Sequence, residues 1–514
     1  MRTVFCLTTA ATGIVAAVAG CSARKTQAAS FSGNNPRPNI LVFISDDQSY
    51  PYASAYGCPA VSTPGFDFVA THGALFTNAY VTSPGSSPSR ASILTGRYPW
   101  QIEEAGTHAS SFPSRYPCYP DLLEQAGYAV GYTGKGWGPG DWKISGRTRN
   151  PAGPEYNTLT ETPPFTGISK IDYSANFSHF LDELPPDKPF CFWIGTNEPH
   201  RGYQKDSWKE TDHTPDQVQV PGYLPNAAVV KGDILDYAVE IEWADSHLQK
   251  AIKELSDRGM LDNTLIVALS DNGMAFPHAK ANCYDAGLHV PLAICWVGQI
   301  PEGKTLHEEV STIDLLPTFL EAAGIKANAG QSFSGESLLP ALTGEKGSAL
   351  THPALSGRER HSSARPANLG YPIRSIRSGN YLLIRNFHPE RWPAGNPQAL
   401  KEDGTPGPMH KAYFDIDGSP TLSYMENHWN DPEVSPYFLA ATALRPEYEL
   451  FNLAEDPDCM HDLSKESSYA QLFGTLKTQL QEWLEKTGDP RVGNNPEIWE
   501  TYPRLSGPMR KFPE

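Results

Sequence analysis

The chain has 514 residues, of which 58 are acidic and 41 basic, for a formal charge of −17. That length exceeds one small core and accommodates a large α/β domain with a smaller second one. The charge excludes a broad basic face for nucleic acid or anionic lipid, so no nucleic-acid partner is expected. An anionic ligand would need a locally positive pocket.

The first residues, MRTVFCLTTAATGIVAAVAGCSARK, place one Arg before an apolar stretch that ends at Val18-Ala19-Gly20-Cys21. Residues 1–21 therefore read as an export signal rather than part of the fold. The small-residue run ending on Cys resembles the lipobox of bacterial lipoproteins, which implies cleavage before Cys21 and lipidation of its thiol. An ordinary cleaved signal with an incidental cysteine is the alternative. The lipobox reading makes the chain an exported lipoprotein of the periplasm or outer-membrane surface, touching the membrane only through its lipid. Residues 22–36 are small and polar, like a tether. The six cysteines beyond Cys6 and Cys21 form no CxxC pair, so zinc-ribbon and thioredoxin-like readings have no support. Disulfides are permitted by export but not required at this size.

From residue 37 short apolar, β-rich runs alternate with helical patterns, predicting a large, mainly parallel sheet flanked by helices over 37–350. Asn39–Ile44 runs into Ser45-Asp46-Asp47. Ala129–Thr133 runs into Gly134-Lys135, Phe190–Ile194 leads to Pro199-His200-Arg201, and Leu265–Leu269 runs into Ser270-Asp271-Asn272. Ligands of open α/β sheets sit at the carboxyl ends of strands, so four strands delivering polar groups predict one convergent site. Ile234–Leu255 is amphipathic at helical spacing and reads as a packing helix whose acids form a solvated face. From about residue 345 the texture turns to Pro, Gly and Arg-rich loops, then a strand-like Tyr381–Ile384 and a helical Leu472, Leu476, Leu480, Trp483, Leu484 pattern. A smaller C-terminal α+β domain is expected over 351–514, contributing to the substrate pocket.

Three constellations carry chemistry. In Ser86-Ser87-Pro88-Ser89-Arg90-Ala91-Ser92-Ile93-Leu94-Thr95-Gly96-Arg97, Pro88 presets a helix start whose free N–H groups suit an anion beside Ser86. Arg90 follows one helical turn later. A Ser/Pro-rich turn before a structural helix is the alternative for this motif alone. Asp46, Asp47, Asp271 and Asn272 offer hard oxygen ligands without thiolate or imidazole, which suits calcium or magnesium. Gathering three carboxylates without a cation would be strongly repulsive. The third group is basic: Lys135, His200 and Lys280.

The Ser86–Arg97 segment resembles, over its whole length, the signature of the formylglycine-dependent sulfatases of the alkaline phosphatase superfamily. With Ser first, it looks like the serine-type branch. The resemblance implies that a maturase oxidises Ser86 to formylglycine, 3-oxoalanine, whose hydrate attacks sulfur with one oxygen and later expels sulfate with the other. It implies one calcium held by Asp46, Asp47, Asp271 and Asn272 together with residue 86. It implies that Lys135 and Lys280 bind sulfate and that His200, helped by Lys280, protonates the leaving group, with Arg90 completing the catalytic set. The family places a His two residues after that first Lys as base for the diol, where this chain has Trp137, which cannot accept a proton. His108 or His278 is expected to take that role.

Similarity extends from about residue 37 to about 490. In Glu198-Pro199-His200-Arg201, in GYPIRSIRSGNYLLIRN (370–386) and in the late segments YELFNLAEDPD and EWLEKTGDPRV, the chain is most similar to the heparan N-sulfatase (sulfamidase) branch. The implied substrate is a sulfated carbohydrate, as a sulfate ester or sulfamate on a glycan or glycosaminoglycan fragment. Arg358, Arg360, His361 and Arg374 are the candidates for substrate contact, with surface salt bridges as the alternative. Two competing functions remain: a phosphoesterase of the same superfamily, whose two-metal centre needs several His ligands not supplied here, and an inactive glycan-binding lipoprotein.

Overall fold

The computed structural model describes residues 37–326, 332–345 and 350–513; the expected signal, Cys21 and the tether lie outside them. In chain order the strands are β1 (Asn39–Ser45), β2 (Gly73–Phe76), β3 (Ala79–Tyr80), β4 (Ala129–Gly134), β5 (Phe190–Gly195) and β6 (Thr264–Ser270). There follow β7 (Leu292–Trp296), β8 (Lys304–Leu306), β9 (Val310–Ser311), β10 (Ala354–Arg358), β11 (Ile373–Ser378), β12 (Tyr381–Asn386) and β13 (Tyr448–Asn452). A seven-stranded sheet has the order β4-β5-β1-β6-β7-β2-β8. Its first four strands, the four marked in the sequence by polar groups at their ends, lie side by side and all parallel. β7 runs antiparallel to both its neighbours, β6 and β2. β3 and β9 form a separate short pair.

The long apolar runs follow from burial on both faces. In β1, Ile40, Val42 and Ile44 point into one core layer and Leu41 and Phe43 into the other, the period-two alternation of a strand. The first layer is filled by helix α2 (Ser86–Thr95) and α3 (Tyr119–Gln125), through Ile93, Leu94, Leu122 and Leu123. The second is filled by α1 (Pro64–Thr71), α4 (Tyr173–Asp182) and the 30-residue α5 (Ala228–Asp257).

One expectation is overturned on α5. Its acids are not a solvated face: Asp233, Asp236, Glu240 and Asp245 are all buried. Each of three has work. Asp245 accepts from the backbone N–H of Gly65 (2.8 Å) and Phe66 (2.7 Å) at the start of α1, where a helix N-terminus favours negative charge. Asp236 accepts from Ser207 Oγ at 2.8 Å and from the Asp206 N–H at 2.9 Å. Asp233 makes a two-pronged pair with Arg201 at 2.7 and 2.9 Å. Over residues 233–241 the helix is buried all round because loops cover its outer side, which helical periodicity cannot reveal, while its last turns keep an exposed face at Lys250, Lys253 and Asp257.

The C-terminal part is an antiparallel sheet, β10-β11-β12-β13, carrying the helix Ala470–Lys486. One face packs Leu355, Ile376, Leu383 and Leu450 on Leu476, Leu480 and Leu484 of that helix. The other packs Ile373, Leu382, Ile384 and Phe451 against Tyr80, Val81, Tyr284 and Val290. All six cysteines in the described residues are free thiols.

Candidate active site

β1 and β6 are adjacent, parallel and in register, Ser45 opposite Ser270. Two segments 224 residues apart therefore end at the same height, and the residues that follow them meet. The Asp271 N–H donates to Ser45 O at 3.1 Å, and the Asp47 N–H to Asp271 Oδ1 at 3.1 Å. Asp47 has φ 73°, a left-handed conformation that costs a non-glycine residue about 1–3 kcal/mol and that turns its carboxylate into the cluster. Carboxylate oxygens of Asp46, Asp47 and Asp271 lie within 4.8 Å of one another, all buried.

Ser86 opens α2, whose N-cap is the extended Gly85. Its hydroxyl is 3.0 Å from Asp46 Oδ1 and 3.4 Å from Asn272 Oδ1. Asn272 is oriented by donating its amide to Asp47 Oδ1 at 2.7 Å. One turn on, Arg90 is fully buried, with Nε donating to Asp271 Oδ2 at 2.7 Å and Nη1 to Lys135 O at 2.6 Å. Its Nη2 has no hydrogen-bond partner and lies 3.7 Å from Asp46 Oδ1.

The remaining cations close on the same carboxylates. Lys135 Nζ, just beyond β4, is 2.6 Å from Asp46 Oδ2, and Lys280 Nζ is 2.6 Å from Asp47 Oδ2. His200 follows β5; its Nδ1 is 2.6 Å from Arg201 O, and its Nε2 faces Asp47 Oδ2 at 3.8 Å. A ring whose Nδ1–H is given to a carbonyl presents Nε2 to the site. The His200 side chain is 39% exposed, so it stands on the solvent side of the cluster. Every one of Ser86, Arg90, Lys135, His200, Lys280, Asp46, Asp47, Asp271 and Asn272 is thus brought to one place.

The electrostatics show strain between the carboxylates. Burial first, then the charge of Asp46, pushes the Asp271 carboxyl up, while Lys135 and Arg90 overcome the burial of Asp46 and hold it well below the usual carboxylate range. Asp47 and Asp46, in turn, help to raise Lys280 against its own burial. Three clustered carboxylates, an amide oxygen and the Ser86 hydroxyl form an all-oxygen donor set, and this fits a hard divalent cation.

One further residue joins the site that the sequence did not mark. Asp417 Oδ2 is 3.3 Å from Lys280 Nζ. Although burial opposes it, Lys280 and His200 hold this carboxyl down, at about 2. Asp417 comes from the long polar connection after β12, and only the chain's path through the C-terminal part reveals it. His108 and His361, both named from the sequence, pair here with ring centroids 4.6 Å apart. A methyl-sized group on Gly85 would lie 3.1 Å from His361 Nδ1 and 3.8 Å from His108 Cδ2, so both rings flank the residue before Ser86. His108 Nδ1 is buried without a hydrogen-bond partner, and burial, then His361, keep the ring neutral.

Trp137 is buried against Phe112, its Nε1 donating to Ser87 O at 3.0 Å. It braces the first turn of α2. His278 is excluded as a base: it stacks on Tyr284 at 4.1 Å, and its ring nitrogens face Ala440 O (3.3 Å) and Asp458 O (3.1 Å).

The proposed substrate contacts need correction. Arg374 is fully buried, bound to Asp489 at 2.5 Å and Glu359 at 2.7 Å, and stacks on Trp100. Arg358 is buried against Asp415, Ala281 O and Pro393 O. Both are internal ties to buried carboxylates, Asp415, Glu359 and Asp489, that no motif marked. Arg360 is also buried, donating to Tyr502 O at 2.9 Å, but retains two nitrogens without partners. His361 stands beside Gly85 as described.

A family model described as "Sulfatase" matches residues 38–325, and one described as "N-sulphoglucosamine sulphohydrolase, C-terminal" matches residues 277–393. The chain is 26% identical to human N-sulphoglucosamine sulphohydrolase over 494 residues, covering 88% of this chain and 91% of that protein. It is also 26% identical to an ulvan-active sulfatase of Formosa agariphila, covering 89% and 82%. Among solved structures it resembles BT4656 in complex with its substrate D-glucosamine-2-N,6-O-disulfate (TM-score 0.62, 20% identity, 88% and 98% covered). It resembles equally the phosphonate monoester hydrolase of Agrobacterium radiobacter (TM-score 0.63, 16% identity, 88% and 96% covered), so those two likenesses speak for the fold alone.

Proposed function

This chain belongs to the sulfatase family and to its sulfamidase-like branch, and from that premise we propose that it hydrolyses a sulfate ester or sulfamate on a glycan or glycosaminoglycan fragment. The observation that carries the mechanism is the placing of Ser86 at the start of a buried helix, 3.0 Å from Asp46, inside a ring of Arg90, Lys135, Lys280 and His200. The relatives' printed names, a sulphoglucosamine sulphohydrolase and an ulvan-active sulfatase, support a sulfated carbohydrate as substrate.

On this reading a serine-type maturase converts Ser86 to formylglycine, whose hydrate supplies the nucleophilic oxygen, and Asp46, Asp47, Asp271 and Asn272 hold one calcium that supplies positive charge beside it. Lys135 and Lys280 bind the anionic group and offset charge developing on its oxygens. Arg90 fixes Asp271 and keeps a free N–H toward Asp46. His200 Nε2, on the solvent side where the sugar must lie, donates a proton to the departing oxygen or nitrogen. The Arg201–Asp233 pair pins the segment that carries it. His108 takes the proton-accepting role that Trp137 cannot perform. His361 and Arg360 stand for substrate contact. We extend the proposal to location: an exported lipoprotein anchored through Cys21.

The test is the mass of the peptide containing residue 86, with turnover of sulfated glycans, p-nitrophenyl sulfate and phosphate esters, for protein made with and without the maturase. The expected result is a loss of about 2 Da at Ser86, two hydrogens removed, with sulfate turnover that depends on it. Phosphate-ester turnover independent of maturation would overturn the proposal.

A further inference from the structure

A second cluster lies away from the active site, where α5 meets α4 and the loop before it. His247, on α5, is fully buried, and Glu161, Asp172 and His247 each direct a ligand atom to one place, all within 4.8 Å. The protons around His247 define what its ring offers. Ser174 has one hydroxyl hydrogen, and it goes to Asp172 Oδ1 at 2.8 Å. The contact of His247 Nδ1 with Ser174 Oγ at 3.2 Å must therefore be donated by Nδ1–H. That leaves Nε2 as a bare lone pair. Nε2 has no hydrogen-bond partner and is aimed at Glu161 Oε1, 3.2 Å away, which has none either.

Two acceptors facing each other at that distance repel unless something positive lies between them. A proton shared between them would serve, but the contact is outside hydrogen-bond geometry. A cation serves better. Ligands about 2.1 Å from a tetrahedrally coordinated zinc ion stand about 3.4 Å apart, close to the separation seen. The carboxylates of Glu161 and Asp172 are 24% and 22% exposed, which gives an ion an entry path.

We propose that Glu161, Asp172 and His247 form a second cation site, for a divalent transition ion of zinc's type, separate from the active-site carboxylates. One imidazole with two carboxylates selects such an ion over calcium. Asp172 Oδ1, which takes the Ser174 proton and lies 3.8 Å from His247 Nδ1, fixes the ring tautomer through Ser174, and Asp172 Oδ2 is the oxygen offered to the ion. The site ties α5 to a loop that supports the active-site histidine. Within that loop the Ser169 N–H donates to Glu198 Oε1 at 2.7 Å. Tyr173, next to Asp172, donates its hydroxyl to Glu198 Oε2 at 2.8 Å, and the Tyr173 hydroxyl oxygen in turn accepts from the Asn197 N–H at 3.0 Å. Glu198 lies two residues before His200.

The experiment uses the full chain, stripped of metal, reloaded with Ca2+ to occupy the hard-oxygen cluster, then titrated with Zn2+ by calorimetry and by metal analysis after desalting. One equivalent of zinc beyond calcium is expected, with a rise in thermal midpoint. His247→Gln and Glu161→Gln, checked for fold by circular dichroism, should each bind zinc at least about tenfold more weakly and lose that rise. If the wild-type chain takes up no zinc, or if both folded variants bind it as tightly as wild type, the site is refuted and the His247–Glu161 contact is an ordinary ion pair.

Discussion

His108 and Trp137 meet the start of α2 from different neighbours, and their chemistry decides which can serve the reaction. Trp137 only donates, and its N–H is already given to Ser87 O. His108 keeps a ring nitrogen free, and Ala109 beside it donates to Ser87 Oγ at 3.0 Å. In matured protein, His108→Ala is expected to lower steady-state turnover by at least about a hundredfold, with the aldehyde at residue 86 still seen by mass. His278→Ala should instead lower the melting temperature, because it removes a stacked ring and two polar contacts, and leave kcat of the folded fraction within about threefold. Equal turnover in His108→Ala and wild type would remove His108 from the mechanism.

Among the elements, α5 is informative because its buried acids differ in satisfaction. Asp233, Asp236 and Asp245 have donors; Glu240 has the charges of Glu198 and Asp236 nearby, and burial first, then those charges, raises its carboxyl to about 9. A raised carboxyl favours folding fully only below its unfolded value, and that stability is lost as pH rises toward the folded value. Glu240→Gln cannot ionise. It should melt above wild type, and the gap should widen between pH 5 and pH 9 in calorimetry; a gap that stays constant would show that Glu240 is ionised in the folded protein. Periodicity identified α5 but not its surroundings, since a helix reads the same whether loops or water cover its polar side.

For the molecule as a whole, buried ions tie the C-terminal part together and carry it onto the first part, beside the apolar packing. Arg374 on β11 holds Asp489 beyond the C-terminal helix and Glu359 after β10, and stacks on Trp100 of the first part. Arg374→Ala strands the buried Asp489 carboxylate and leaves Glu359 with Arg491 alone, and it should cost about 3–5 kcal/mol, read as a lower denaturant midpoint. The Km for sulfated substrate should stay unchanged, whereas a Km rise without loss of stability would restore Arg374 as a substrate contact. The carboxylate cluster makes a second prediction at this scale. Chelation should lower the thermal midpoint, and Ca2+ should recover a part of that loss that Zn2+, held at the second site, does not; an unchanged midpoint on chelation would argue against a resident cation.

The sequence alone determined the four central parallel strands, because burial on both faces writes an unbroken apolar run, and it marked the candidates for chemistry. Asp46, Asp47, Lys135, His200, Asp271 and Asn272 were legible because they follow those strand ends, Ser86 because its motif opens a helix, and Lys280 through the family resemblance. Only the tertiary structure decided which distant segments become neighbours. The register of β1 with β6 joined the two acidic pairs, and the path of the C-terminal part delivered Asp417 to Lys280 and took Arg358 and Arg374 into the interior. An arginine or aspartate reads the same in sequence whether it meets a substrate or a buried partner far along the chain. Its role is fixed by the partner, and long-range packing chooses the partner.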